Sequence, residues 1–184
     1  MPVWLLVFLR ALKENTGKDF KTLFPNFKVL LLSGMDYEPF LPEIKKYINM
    51  SFHLLEAYPS TEGFIAYQDR LEERGMQLIL NNGIFFEFIP LDELSKPNPK
   101  RIWLKDVETG VNYALVLNTN AGMWAYLNGD TVRFVSLFPH RIEITGRISQ
   151  YISAFGEHVT VEEVDKSIAE TARQCNARIL EFTV

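Results

Sequence analysis

"FKVLLLSGMDYEPFLPEIKKYINMSFHLLEAY" (Phe27–Tyr58) decides the architecture. It opens with a short continuous apolar run, Phe27–Ser33, of the kind expected of a buried strand in a parallel sheet. Gly34 then opens a loop, and Glu43–Met50 reads as a helix with its lysines outward. Ser51–Tyr58 is the next strand. Two apolar strands joined by a helix form a βαβ unit, whose crossover is right-handed.

Upstream, "MPVWLLVFLRALKENTGKD" (Met1–Asp19) reads as a helix ending near Thr16-Gly17. Its apolar run is about ten residues long and broken by Arg10, short of the roughly twenty needed to span a bilayer. It also lacks the basic leading segment and small-residue cleavage site of a secretion signal. So apolar a first helix is expected of an internal segment of a longer chain.

Downstream, "GFIAYQ", "MQLILNN" and "GIFFEFIP" read as strands of a mainly antiparallel stretch. "LDELSKPNPKR" (Leu91–Arg101), with two prolines and mixed charges, is the clearest linker. A second β-rich block runs from "IWLKDVETG" to "RIEITGR", with Asn128-Gly129-Asp130 as a strong hairpin signal. The character changes again after Arg147. "YISAFGEHV" is strand–turn–strand, and a helix follows, with Thr160 as N-cap and Glu163 at capping-box spacing. Its apolar positions Val161, Val164, Ile168 and Ala172 share one face, and "ARILEFTV" closes as a strand.

Composition narrows the function classes. The chain has 184 residues, 47% hydrophobic and 23% charged, which suits a globular fold and excludes a disordered one. A net charge of -4, with Lys and Arg scattered, argues against a nucleic-acid groove. A single cysteine, Cys175, excludes an internal disulfide and a cysteine-based zinc site and fits a reducing, cytoplasmic setting. His53, His140 and His158 show no metal-ligand spacing. "ENTGKD" contains Gly-Lys but no glycine five residues earlier, so it is not a Walker-type phosphate loop. The aromatic runs (Phe85, Phe86, Phe88; Trp124, Tyr126) are expected in the core.

Four short segments carry chemistry. In "YPSTEG" (Tyr58–Gly63), a hydroxyl and a carboxylate stand beside each other at the carboxyl end of a strand. Such a pair can hold phosphate and Mg²⁺, but the same hexapeptide is also an ordinary turn. In "GDTVRF", Asp130 can accept both hydroxyls of a ribose, or simply close a hairpin. In "ITGRISQ", Arg147 follows a glycine at a strand end and can reach a phosphate, or sit on the surface. In "SGM" (Ser33–Met35), Gly34 lets backbone approach a ligand, though glycine after a strand is common.

The order of these segments, together with "GIFFEFIP", "NYALVLNTNAGMWAYLNGDTVRF" and "ITGRISQYISAFGEHV", resembles the acyl-adenylating superfamily. The finer resemblance is to the auxin-responsive acyl-acid amido synthetases, particularly their bacterial relatives, and it covers nearly the whole chain. It implies an α/β fold: the βαβ portion of a large adenylating domain, a β-rich, barrel-like subdomain, and the start of a small α+β domain. The implied boundaries are 1–147 (α/β to 96, β-rich from 97) and 148–184.

The resemblance also implies chemistry: an ATP-dependent ligase that activates a carboxylic acid as acyl-AMP and passes the acyl group to an amine, in this family an amino acid. By position, Tyr58 would stack on adenine, Thr61 bind the α-phosphate, Glu62 hold Mg²⁺, Asp130 grip the ribose and Arg147 contact ribose or phosphate. Ser33, Gly34 and Met35 would border the adenine and acyl pocket. Pro59 departs from the glycine common in such motifs, and Ser149-Gln150 replace a charged hinge residue. The superfamily's Ser/Thr/Gly-rich phosphate loop and late lysine are not present, so these 184 residues alone are expected not to adenylate. The alternatives are a non-catalytic nucleotide-binding or protein-interaction module of the same fold, and a ligase that forms acyl-CoA.

Overall fold

The computed structural model describes residues 2–34, 37–71, 73–150, 152–154, 157–159, 161–175, 177 and 179. The first helix, α1 (Pro2–Thr16), stops where expected: Gly17 takes φ +64° and returns its N–H to the Lys13 carbonyl at 2.9 Å. A single turn, α2 (Phe20–Leu23), leads to β1 (Val29–Leu32). The crossover helix α3 (Leu41–Ile48) ends on Asn49 at φ 46°, and β2 (His53–Ser60) then runs parallel to β1. The βαβ unit read from the sequence is therefore present.

Helix α3 places Ile44 and Ile48 on one face, four residues apart, and both are fully buried against α1 and β1. Strand β1 differs from the expectation of a fully buried strand. Leu30 and Leu32 pack under the helices, whereas Val29 and Leu31 are exposed. The helices that cover β1 lie on one face of it, so a continuous apolar run ends up alternating in burial.

From β2 the sheet turns antiparallel through β3 (Gly63–Tyr67) and β4 (Met76–Leu78). The remaining strands are β5 (Ile84–Pro90), β6 (Ile102–Trp103), β7 (Asn112–Thr119), β8 (Tyr126–Leu137) and β9 (His140–Arg147). All nine belong to one sheet, in the order β1-β2-β3-β4-β9-β8-β7-β5-β6. The proline-containing linker after Leu91 joins β5 to β6, which pair with each other. Leu91 is buried there beside Ala114 and Val116, so the linker caps the sheet it interrupts.

The main core, with Ile65, Phe88, Leu115, Phe134 and Ile142 fully buried, draws on strands from both halves of the sheet. Within β5, Phe86 and Phe88 enter the core and Phe85, on the other face, points outward. Trp124, ahead of β8, and Tyr126 at its start are exposed, against the expectation of a core role. Past Arg147, β10 (Ile152–Ala154) and β11 (Glu157–Val159) form a separate antiparallel pair, and α4 (Val161–Gln174) follows. The N-cap expected at Thr160 and the strand expected after Ala177 lie outside the described residues.

One strong turn signal has a different outcome. Asn128-Gly129-Asp130 does not close a hairpin; it lies inside β8, which runs on for twelve residues. Ala114 of β7 pairs with Thr131 and Val116 with Leu127, so β8 carries two more residues than its partner across this step. The left-handed freedom of Gly129, at φ 87°, is used for a β-bulge. The hairpin itself comes later, where Leu137 pairs with His140 around Phe138-Pro139.

A buried charge ties the β3–β4 connection down. Arg141 of β9 is 2% exposed, and its guanidinium forks onto both Asp69 carboxylate oxygens and reaches Glu73 Oε2 at 3.1 Å. This hydrogen bonding holds the Asp69 carboxyl below the ordinary carboxylate range. A depressed folded-state pKa contributes stability above the unfolded value of about 3.9, and that stability is lost as pH falls through the folded value.

Asp69→Asn is therefore expected to lower stability in urea unfolding at pH 7 by about 2 kcal/mol. The cost stays under that of a fully enclosed pair because the Asp69 side chain is 23% exposed and Glu73 remains. The deficit should shrink as the pH is lowered below about 4. Gly129→Ala meets no steric neighbour but must hold a left-handed φ, and urea unfolding should show a loss of about 1 kcal/mol from backbone strain alone.

Candidate functional site

"YPSTEG" folds as the β2–β3 hairpin. Ser60 pairs with Gly63, leaving Thr61 and Glu62 as the two turn residues. Two-residue hairpins favour left-handed turn positions, usually Asn or Gly. Neither Thr61 nor Glu62 is among the positive-φ residues, so side-chain chemistry stands where turn chemistry is usual. Gly63 lets Ile84 pack closely: a Cβ there would meet Ile84 Cδ1 at 2.6 Å, and the end of that side chain would have to shift. The Ser60 hydroxyl donates to the Gly63 carbonyl at 3.1 Å and braces the turn.

Pro59 is accommodated at a break in the ladder. Strand β1 ends opposite Glu56, and the β2–β3 register shifts between Tyr58 and Pro59. Its missing N–H therefore falls where no regular ladder continues.

Asp130 comes to the same place from the far side of the sheet. It lies just after the Gly129 bulge and pairs in register with Arg147 of β9. A second irregularity follows at once: Thr131 pairs with Gly146 but Val132 with Ile144, leaving Thr145 as the extra residue. The buried hydroxyls of Thr131 and Thr145 bond to each other at 2.9 Å beneath this corner. Bulges on both strands thus flank the Asp130–Arg147 pair and set the direction of their side chains.

The contacts around Asp130 are specific to each oxygen. Arg147 Nε donates to Oδ1 at 2.9 Å, from a side chain that is 61% exposed. The Tyr58 hydroxyl donates to Oδ2 at 2.6 Å. Asn128 Nδ2 donates to the Tyr58 oxygen at 3.0 Å and reaches Asp130 Oδ2 at 3.4 Å. Asn128 Oδ1 accepts the Asp130 backbone N–H at 3.0 Å, closing the group. Burial and the adjacent Asp130 charge push the Tyr58 phenol far above its ordinary range, so it remains a proton donor.

Glu62 faces this group from the hairpin. Its carboxyl is held below the ordinary range by its own backbone N–H, then by the hydroxyls of Ser60 and Tyr126, with the Arg147 charge adding to the effect. The pair works in both directions, since Glu62 raises the pKa of the Tyr126 hydroxyl that donates to it. Arg147 therefore sits within the field of two carboxylates, Asp130 and Glu62.

Thr61, Glu62, Tyr58, Asp130 and Arg147 are thus gathered from three parts of the chain. Thr61 is exposed at the hairpin tip. Tyr58 is 3% exposed, with its ring in the main core and only its hydroxyl directed at the site. Ser33 and Gly34 follow β1 and line an adjacent cleft of about 190 Å³, shared with Ala57, Gln68 and Ile144. Met35 lies outside the described residues. Sequence reasoning missed Tyr126, Asn128 and Ser60. The signal for Asn128 was the Asn-Gly-Asp run, whose spare polar side chain had another use once the turn was a bulge.

A hard divalent cation would find the Glu62 carboxylate, held below its ordinary range, among oxygen donors here. Among the described residues no cluster of three or more His, Cys, Asp or Glu could hold a metal by itself. The donor set fits Mg²⁺ only if phosphate oxygens and water complete the shell. No helix among the described residues is long and apolar enough to cross a membrane.

Residues 77–147 match the family model described as the GH3 family central domain. Jasmonoyl--L-amino acid synthetase JAR4 of Nicotiana attenuata is 33% identical over 117 residues, covering 60% of this chain and 20% of that protein. Probable indole-3-acetic acid-amido synthetase GH3.1 of Arabidopsis thaliana is 24% identical over 181 residues, covering 92% of this chain and 30% of the relative. The chain thus spans between a fifth and a third of the length of these relatives.

Among solved structures, the AtGH3.15 acyl acid amido synthetase in complex with 2,4-DB superposes with a TM-score of 0.69 at 19% identity, covering 89% of this chain and 29% of that one. The 2-hydroxyisobutyryl-CoA ligase in its postadenylation state, in complex with R3-HIB-AMP, gives 0.63 at 14% identity, covering 92% and 36%. At these identities the likeness is one of fold. The match to the GH3 family central domain covers residues 77–147, and the fold is shared with an acyl acid amido synthetase and an acyl-CoA ligase.

Proposed function

We propose that this chain is part of an ATP-dependent ligase that activates a carboxylic acid as acyl-AMP and transfers the acyl group to the amine of an amino acid. The observation that carries the reading is the Asp130–Arg147 pair, held on paired bulges and facing the Glu62 hairpin at the carboxyl end of the βαβ unit. Ligands of α/β sheets gather at such strand ends. The family match over residues 77–147 supports the same reading.

The reaction needs little from the protein beyond placement and charge. A substrate carboxylate oxygen attacks the α-phosphorus of ATP, the bond to pyrophosphate breaks, and acyl-AMP forms. The amine nitrogen then attacks the acyl carbon, AMP departs, and the amine gives up a proton to complete the amide. Asp130 would accept the ribose hydroxyls, and Thr61 at the exposed hairpin tip would donate to the α-phosphate. Arg147 would offset negative charge building at phosphorus, where placed cations contribute most. Glu62, with nucleotide phosphates, would hold a Mg²⁺ that neutralises phosphate charge.

Ser33, Gly34 and Met35 would border the adenine and acyl pocket. Residues 1–147 would form the later half of the large domain and 148–184 the beginning of the small one. In this reading the 184 residues hold one wall of the active site and do not adenylate by themselves.

The test is calorimetric titration of the chain with AMP. Asp130→Ala and the similarly sized Asp130→Asn should each weaken binding by about tenfold or more, the usual effect of losing hydrogen bonds to a charged group. AMP affinity unchanged in both variants would rule Asp130 out as the ribose ligand.

A further inference from the structure

We infer that Ile148 is the positioning residue for Arg147, seated in an apolar socket that the Leu91–Arg101 linker completes; the inference rests on the nucleotide reading above and names what aims its phosphate-binding cation. Beyond capping the sheet, the linker reaches the end of β9. Its first turn, Leu91–Glu93, follows directly on β5. Leu91 is buried with Ile89, Ala114 and Val116, and both Leu94 and Ile148 pack on this cluster.

That cluster lies on the other face of the sheet from the main core. Along β7, Tyr113, Leu115 and Leu117 enter the main core, whereas Ala114 and Val116 face the linker. Arg147 and Ile148 divide in the same way. Arg147 turns to Asp130, which is bonded to the core residue Tyr58, and Ile148 goes to the linker side. Adjacent residues of an extended chain take opposite faces. A seat for the Ile148 side chain therefore sets the direction of Arg147.

Little else holds this end of β9. Arg147 pairs with Asp130 at the last step of the β8–β9 ladder, and Asp130 is its one partner among the described hydrogen bonds. Gly146, just before it, takes φ 144°, a backbone setting in which the absence of a Cβ removes steric guidance. Beyond it, Ser149 is exposed, and β10 and β11 pair only with each other, so no ladder continues. Half-buried Ile148 is the fixed point on that side. Without it, the guanidinium loses its set direction and has to be ordered when a phosphate arrives, which costs affinity. The linker thus takes part in the site from the opposite face of the sheet, without touching the ligand.

The experiment compares AMP with adenosine by calorimetry on the full 184-residue chain, so that the ratio of affinities isolates the phosphate. The wild-type chain should favour AMP by about tenfold, the scale of hydrogen bonds to a charged group. Arg147→Ala should abolish that preference. Ile148→Ala should narrow it to about threefold, with adenosine affinity little changed, and the conservative Ile148→Val should restore it. In the Arg147→Ala background, Ile148→Ala should have no further effect on the ratio. Leu94→Ala, from the linker, should narrow the ratio by a smaller factor, and it decides the matter if Ile148→Ala disturbs folding. Equal weakening of AMP and adenosine in Ile148→Ala, or no change in either, would make Ile148 a packing residue only and overturn the inference alone. A tenfold preference that survives Arg147→Ala, or a wild-type chain that binds neither compound, would overturn the nucleotide reading of Arg147 and this inference with it.

Discussion

The hydrogen bond between the Tyr58 hydroxyl and Asp130 is the constraint on which the site depends. Tyr58 is on β2 and Asp130 on β8, and three strands stand between them in the sheet. Four strand steps in a flat sheet would separate them by about 19 Å, yet the two oxygens lie 2.6 Å apart. The sheet must therefore curl until its β2 and β8 regions face each other. This gives the expected barrel-like character a physical form. The curl encloses one core shared by β3, β5, β7, β8 and β9, and the polar contact sits at the edge of that core.

The irregularities of the sheet serve this closure. Register shifts occur in the β2–β3, β7–β8 and β8–β9 pairings, and those beside Tyr58, Asp130 and Arg147 border the site. A bulge adds twist and turns a side chain that a regular ladder would direct elsewhere. Regular pairing alone would send the alternating residues of β8 to opposite faces. Asn128 and Asp130, two apart, share a face, and at the bulge the Asn128 amide bonds both the Asp130 backbone N–H and its carboxylate. Below it, the Thr131–Thr145 hydroxyl pair satisfies polar atoms that the distortion would otherwise leave buried and unpaired.

Charge placement follows a related logic. The two arginines of β9 have opposite surroundings. Arg141 is enclosed and structural, committed to Asp69 and Glu73. Arg147 is exposed and lies between the influence of Asp130 and Glu62. An enclosed guanidinium with fixed partners stabilises a loop, whereas an exposed one can exchange a carboxylate for a phosphate at little cost. In the reading proposed here, one strand supplies both the scaffold's anchor and the site's mobile cation.

The sequence alone determined the elements whose causes are local. Hydrophobic periodicity and flanking glycines located the βαβ unit, the first helix and most strands, and the order of four short motifs pointed to the family. It also picked out Thr61, Glu62, Asp130 and Arg147 as residues of interest. Tertiary structure decided what those residues face. Asn-Gly-Asp has the same local chemistry in a hairpin as in a bulge, and only pairing with β7 made it a bulge. Tyr58 has the composition of a stacking residue, and only the curl of the sheet buried its ring and left its hydroxyl for Asp130. Tyr126 and Asn128 joined the site for the same reason. Backbone preference extends over a few residues, whereas a contact between residues seventy positions apart depends on how the whole sheet closes.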